Sequence, residues 1–269
     1  MKLRYRTVFI SDTHLGSRSC QARDLVRFLR CIECQSMYLV GDIIDFWRLR
    51  KGGPWTAEHS DAMQLILGKV REGTRVHYVP GNHDEAAREY FGLEFGGVMV
   101  MPHAEHRTAD GRRLLVTHGD QYDLVVKHSR MLALAGSTAY EWLIAINRLY
   151  NRFRVWRGKP YWSLSRYLKH KVKSACTHIS RFEEALVREA RSRGMHGVVC
   201  GHIHKAEMSI CADSDIEYFN CGDWVESCTA VVEHFDGRMQ VIEALPAIAE
   251  LVKSLRDEAA PTAVGAASL

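Results

Sequence analysis

Met37-Tyr38-Leu39-Val40-Gly41-Asp42 is an apolar run that stops on a glycine and a carboxylate. Four consecutive apolar residues bounded by a turn signal read as a short β-strand, and Gly41-Asp42 as the turn that ends it. The pattern recurs upstream, where residues 7–11 run into Asp12-Thr13-His14. It recurs downstream at residues 76–79 before Gly81-Asn82-His83-Asp84, at 114–117 before His118-Gly119-Asp120, and at 198–200 before Gly201-His202-Ile203-His204. Between these strands lie helical patterns. Residues 21–34 keep Leu25, Val26, Phe28, Leu29 and Ile32 near one face, and residues 62–72 and 182–193 are closed by Gly73 and Gly194.

Strands alternating with helices indicate an α/β layered fold, in which functional groups gather outside the carboxyl ends of the strands. Every one of the five motifs stands at such an end. The later chain changes character. Residues 209–211, 217–220, 229–235 and 238–243 read as short strands in hairpins, which suits the second sheet of a β-sandwich core. Residues 1–255 then form a single domain, with 256–269 a loose, Ala-rich end. Residues 122–182 break the α/β rhythm, read as wholly helical, and form a candidate cap embedded between two motifs.

The 269 residues are 46% hydrophobic and 25% charged, which allows a large core and excludes a mainly disordered chain. Formal net charge is +4, a weak basic bias. Eight cysteines are present, but residues 1–10 contain no apolar signal region and lead straight into the first motif. The expectation is a reduced, cytoplasmic protein with buried thiols. Cys31-x-x-Cys34 falls in a helical pattern and reads as a chance pair rather than a redox centre. No segment reaches the roughly 18 consecutive apolar residues of a membrane span. Residues 131–146 come nearest, as a core or an interfacial helix.

The motifs supply Asp12, His14, Asp42, Asn82, His118, His202 and His204. Asp12 and His14 flank one residue in an extended turn, so both can converge on one ion. A single carboxylate such as Asp42 can bridge two cations and lower their mutual repulsion. Nitrogen and oxygen donors without a thiolate suit Mn²⁺, Fe²⁺ or Zn²⁺. Two such ions about 3.5–4 Å apart ionise a bridging water and stabilise charge on phosphoryl oxygens. Asp45, Asp120 and Asp223 read instead as hydrogen-bonded loop carboxylates. His59, His77, His103, His106, His128 and His196 match no motif and read as packed or surface histidines.

This order of motifs resembles the calcineurin-like metallophosphoesterases, whose signature is D-x-H, G-D, G-N-H-[DE], a later His and G-H-x-H. The resemblance implies a four-layer α/β-β/α sandwich. It implies a first metal on Asp12, His14, Asp42 and His204, and a second on Asp42, Asn82, His118 and His202. It further implies His83 as the catalytic residue, contacting phosphate or protonating the leaving oxygen, with Asp84 orienting it.

The insert bears on which phosphoester is cleaved. Between residues 142 and 182 there are ten Lys or Arg and no Asp or Glu, while the rest of the chain has 26 basic against 32 acidic residues. Trp142, Tyr150, Phe153, Trp156, Tyr161, Trp162 and Tyr167 are interleaved with them. Such a surface suits an anionic amphiphile, a membrane surface or a nucleic-acid backbone; the bland alternative is a solvated basic face over packed aromatics. Arg152, Trp156, Arg157, Arg166 and Lys169 are the candidate substrate contacts.

Gly41-Asp42-Ile43-Ile44-Asp45-Phe46-Trp47 and a helical insert after His118-Gly119-Asp120 also resemble the UDP-2,3-diacylglucosamine pyrophosphatases. Those release UMP and a lipid 1-phosphate. The resemblance implies a Mn²⁺-dependent cytoplasmic enzyme peripheral to the inner membrane, with a nucleotide–lipid substrate and no nucleic-acid partner. The chain departs from that group at His83, where its best-known members carry Arg. A general phosphodiesterase or nuclease-like enzyme is the alternative, and a non-catalytic membrane-docking scaffold is a third reading.

Overall fold

The computed structural model describes residues 2–122, 179–211 and 214–259. The chain divides into two compact units, Met1–Gly119 with Val187–Leu269, and Asp120–Leu186. Of the second unit, the described residues are a short 3₁₀ turn, Asp120–Tyr122, and the start of a helical stretch that runs over 179–192. Arg152, Trp156, Arg157, Arg166 and Lys169 lie outside the described residues.

Two mixed sheets form the first unit. One has seven strands, with β1 (Leu3–Ile10), β2 (Ile32–Leu39), β3 (Arg75–Tyr78) and β5 (Val98–Val100) parallel at its centre. Antiparallel edges complete it: β4 (Glu94–Phe95) on β5, and β11 (Thr229–Glu233) with β12 (Met239–Glu243) on β1. The other sheet has five strands, in the order β6 (Ala104–Arg107), β7 (Arg113–Val116), β8 (Gly197–Cys200), β10 (Glu217–Asn220) and β9 (Glu207–Ile210).

The apolar runs are continuous because the central strands are buried on both faces. Val8, Ile10, Met37 and Leu39 belong to one core with α1 (Ala22–Cys31) and α3 (Ala57–Arg71). Phe9, Tyr38 and Val40 point the other way, into a second core with Val116, Val199 and Phe219 of the five-stranded sheet. Phe9 stacks on Tyr38 at 4.9 Å between ring centroids. Helix α1 buries Leu25, Val26, Phe28 and Leu29 against the first core, at about 1.5–3 kcal/mol for each large side chain. The α/β sandwich expected from the sequence is present, but of the four late strands assigned to its second sheet only β9 and β10 lie there; β11 and β12 join the first sheet, because β11 pairs with β1.

The largest departures from the expected boundaries are these. The helix over 21–34 ends at Cys31, and β2 begins at Ile32 rather than Met37. The amphipathic pattern continues past Cys31, but Ile32 through Leu39 pair in parallel register with Leu3 through Ile10. That ladder overrides local periodicity. Cys31 and Cys34 therefore fall on a helix and a strand, and burial pushes the Cys34 thiol up to about 11. There is no disulfide among the described cysteines. Helix α3 starts at Ala57, held by a capping box between Thr56 and His59. A last helix, Ala244–Ala259, replaces the start of the expected loose end; it is rich in Ala and Leu and seats Ala244 and Leu251 in the interior. Residues 260–269 lie outside the described region. No described helix is long and apolar enough to cross a membrane.

Candidate metal centre

The five turns meet at the carboxyl ends of the parallel strands. Their backbone is unusual. Among the described residues, seven non-glycine residues have positive φ, and five of them are Asp12, His14, Asp42, His202 and His204. Asp and His tolerate this left-handed region better than most residues, but it still costs about 1–3 kcal/mol each and persists only where neighbours impose it. The neighbours here are the other turns. Asp12 N–H donates to Gly41 O at 3.0 Å, His14 N–H to Asp42 O at 2.9 Å and Gly201 N–H to His118 O at 3.2 Å. The motif glycines admit this closeness: a Cβ on Gly81 would meet the Asp42 carboxylate and the His118 ring, and one on Gly201 would meet Asp12 and Ser11.

Each buried aspartate gives one oxygen to the scaffold and one to the centre. Asp12 Oδ2 accepts the His202 N–H at 3.0 Å. Its Oδ1 takes no hydrogen bond, and His204 Nε2 lies 3.2 Å and His14 Nε2 3.9 Å from it. Asp42 Oδ1 accepts the His83 N–H at 2.8 Å. Its Oδ2 stands between His14 Nε2 at 3.9 Å and His118 Nε2 at 3.5 Å. Three clusters result among the described residues, Asp12–His14–His204, Asp42–His118–His202 and, beside them, His14–Asp45–His83, each with its donor atoms within 4.8 Å of one another.

These residues fit divalent cations. A cation bound at about 2.1 Å sets neighbouring ligand atoms about 3 Å apart, and the donors above are spaced only slightly wider. Asp12 Oδ1 and Asn82 Oδ1 are buried oxygens without hydrogen bonds, as expected of atoms reserved for an ion. Burial alone would raise the Asp42 pKa, yet the imidazoles of His118, His83 and His14 hold it well below the usual carboxylate range. Asp12 is lowered in the same way, by His204 and His118 against its burial. Both carboxylates are therefore ionised and ready to coordinate.

Hydrogen bonds at the far nitrogens aim the rings. His118 Nδ1 lies 2.9 Å from Val40 O and His14 Nδ1 lies 3.2 Å from Asp45 Oδ2, so each presents Nε2 to the centre. His83 Nδ1 lies 3.1 Å from Asp45 Oδ1, and its ring packs on Trp47 at 4.2 Å and on His14 at 4.6 Å. Burial would lower the His83 pKa, but Asp45 and Asp42 together raise it.

Asp84 therefore does not orient His83. It is fully buried and accepts from Gly81 N–H at 2.5 Å, Tyr78 Oη–H at 2.5 Å, Ile43 N–H at 2.7 Å and Asp42 N–H at 3.3 Å. Four donors converge there because the Gly41–Asp42 and Gly81–Asn82 turns each leave backbone N–H groups unpaired, and one carboxylate ties both turns together. Asp45, read from sequence as an ordinary loop carboxylate, holds both His14 and His83 and also caps the short helix α2 (Phe46–Leu49) through Arg48 N–H at 2.8 Å. Its signal was the third-residue spacing after Asp42 and the aromatic pair that follows. Asn220 was also missed. It is buried at the carboxyl end of β10, where Nδ2 donates to Gly201 O at 3.0 Å and Oδ1 accepts from Gly222 N–H at 3.0 Å. Asp223 is the loop carboxylate expected, accepting from the N–H groups of Val225, Glu226 and Ser227.

Residues 5–206, well over half of the chain, match the family model for calcineurin-like phosphoesterases. A UDP-2,3-diacylglucosamine hydrolase of Photorhabdus laumondii is 29% identical over 118 residues, covering 42% of this chain and 48% of the relative. One of Porphyromonas gingivalis is 32% identical over 139 residues, covering 47% and 50%. The chain thus spans about half the length of the curated relatives it matches. Among solved structures, an archaeal phosphodiesterase aligns over 88% of this chain and 98% of its own, at 11% identity and a TM-score of 0.39.

Proposed function

The chain belongs to the calcineurin-like phosphoesterase family, and from that premise we propose that it is a dimetal phosphoester hydrolase acting on a diphosphate-linked nucleotide–lipid. The observation that carries the reading is Asp42 Oδ2 standing between two donor clusters, with the Asp45–His83 pair beside them. Asp12, His14, Asp42 and His204 hold the first cation, and Asp42, Asn82, His118 and His202 the second. Two cations held there would supply water activation and charge stabilisation on the phosphoryl oxygens. Manganese is the proposed metal, with iron and zinc compatible with the same nitrogen and oxygen donors.

The side chains supply the remaining steps. Burial lowers the His83 pKa, but Asp45 beside its Nδ1 and the Asp42 charge raise it, which favours the protonated ring. It contacts the phosphoryl group and protonates the departing oxygen. Asp45 fixes that ring and the His14 ring at once. Trp47 closes one face of His83 and limits water there.

The substrate reading rests on the two relatives named UDP-2,3-diacylglucosamine hydrolase. UDP-2,3-diacylglucosamine or a close analogue is cleaved to UMP and a lipid 1-phosphate. The basic, aromatic composition of residues 142–182 supports contact with an anionic lipid substrate and a membrane surface, with Arg152, Trp156, Arg157, Arg166 and Lys169 as the proposed contacts. Incubation of the Mn²⁺-loaded protein with UDP-diacylglucosamine releases UMP. Absence of UMP, with hydrolysis of a simple phosphodiester intact, overturns the substrate and keeps the reaction class. His83, standing where the best-known lipid enzymes carry Arg, favours a general phosphodiesterase in that event.

A further inference from the structure

A cleft of about 490 Å³ opens where the edge strand β6 faces β2 and β3. Its Arg75 end lies away from the metal turns. Those turns follow the last residues of the strands, whereas Arg75 opens β3, and the strand rises about 10 Å from Arg75 to Tyr78 at about 3.3 Å per residue. Arg6, Tyr38, Arg75, His77, His103 and Arg107 line its wall.

The charges in this wall do not cancel. Glu105, its acidic member, is taken by Arg113 through Nε at 2.5 Å and Nη2 at 2.9 Å. Arg6 is taken by the buried Glu233 at 2.7 Å. Arg75 and Arg107 are exposed, and neither side chain makes an ion pair or hydrogen bond with a described residue. Two guanidinium groups without a hydrogen-bonded or ion-paired partner among the described residues line one concave surface, Arg107 feeling the Glu105 charge only at longer range, and flanking low-dielectric walls focus the field.

His77 lines the same cleft, next-but-one to Arg75 on β3, and its ring is packed. Its ring stacks on Tyr38 at 4.8 Å, and Tyr38 stacks on Phe9. His77 Nδ1 is buried without a hydrogen-bond partner. A proton sealed at that nitrogen would be a lost donor, so the neutral ring carries it on Nε2. Burial and the nearby Arg75 hold the ring neutral by lowering its pKa. The wall thus offers two planar cationic forks and one fixed neutral donor, a set suited to the oxygens of a phosphate group.

The geometry points to a second anion site, separate from the metal centre, that takes a phosphate group on Arg75, Arg107 and His77. The group is a free phosphate or the end of a phosphomonoester; the chemistry recognised is the same.

The test uses the full chain loaded with diamagnetic zinc, with inorganic phosphate as probe. The readout is the His77 ring resonance, assigned with the His77→Gln variant. A saturable shift is expected, persisting at about 0.15 M sodium chloride, where scattered surface charges are screened. The Arg75→Ala/Arg107→Ala variant weakens it about tenfold or more, by removing both charge-assisted contacts, and leaves phosphodiester hydrolysis unchanged. No saturable shift at His77 overturns the proposal. Equal affinity in the double variant also overturns it. Loss of hydrolysis in parallel with phosphate binding overturns it too, because the anion would then be reporting the metal centre. A nucleoside monophosphate titrated in the same way distinguishes the sources: tighter binding than inorganic phosphate assigns a phosphomonoester, and equal or weaker binding the free ion.

Discussion

Asp45→Asn separates the tasks that one carboxylate performs. Asp45 Oδ1 accepts from Arg48 N–H at 2.8 Å and stands 3.1 Å from His83 Nδ1, while Oδ2 stands 3.2 Å from His14 Nδ1. An asparagine keeps the helix cap by placing its own Oδ1 at the first position, and Asn caps as well as Asp. Its NH₂ then faces His14 Nδ1, donor against donor. The lost charge-assisted hydrogen bond is worth about 1.5–3 kcal/mol, which corresponds to roughly 10- to 150-fold in metal affinity at about 1.4 kcal/mol per decade. The metal on His14 should therefore weaken by that factor, in line with the effect of removing a carboxylate behind a histidine ligand. Turnover at saturating metal should fall less, because His83 retains an acceptor. Asp45→Ala loses the cap as well and should cost about 1 kcal/mol more in stability. Metal titration, turnover of a simple phosphodiester and thermal melts of the two variants read all three effects. Parental metal affinity in Asp45→Asn would refute the orienting role.

Three further outcomes follow from the same geometry. Asp42→Ala removes the shared oxygen and the acceptor of His83 N–H, so metal analysis should show at least one ion lost and turnover down about 10²-fold or more, beyond the effect of an outer partner; a fully loaded, active variant would end the bridging reading. Gly81→Ala drives a Cβ into Asp42 and His118, which should cost about 1–3 kcal/mol and most of the activity, so a parental melting temperature together with a parental rate would contradict the packing described. Glu233, far from the metals, is held at about 2 against its ordinary 4.5: burial would raise it, but His106, Thr7, Arg6 and the Ala109 N–H lower it. A depressed carboxylate stabilises the fold above its unfolded pKa. That contribution, about 3 kcal/mol for such a shift, should be lost as pH falls from about 4.5 towards 2. The Glu233→Gln variant should be less stable near neutrality and flatter in acid; identical stability–pH curves would refute the linkage.

The centre was legible in the sequence because each of its parts is local. An apolar run of four or five residues makes a strand, a glycine or an Asp-x-His turn stops it, and the α/β rule puts every such stop on one edge. Asp12, His14, Asp42, His118, His202 and His204 could therefore be assembled without coordinates. The Asp45–Asp84 exchange could not. Asp45 follows the Gly41-Asp42 turn by three residues, Asp84 closes the Gly81–Asp84 motif, and both are buried carboxylates. Which of them meets His83 depends on how two turns from different strands cross, and no spacing within one turn records that.

The same division holds for the fold. Local pattern decided that strands and helices alternate, and which residues are apolar enough to fill two cores. Pairing across the chain decided that Ile32 begins a strand, because Leu3 lies beside it in register. It also decided that Glu233 and His106 share a buried hydrogen bond at 2.8 Å, although 127 positions separate them. Short-range sterics and hydrophobicity are written in neighbouring residues; the energy of a ladder or a buried ion pair belongs to two segments at once and exists only when the chain has brought them together.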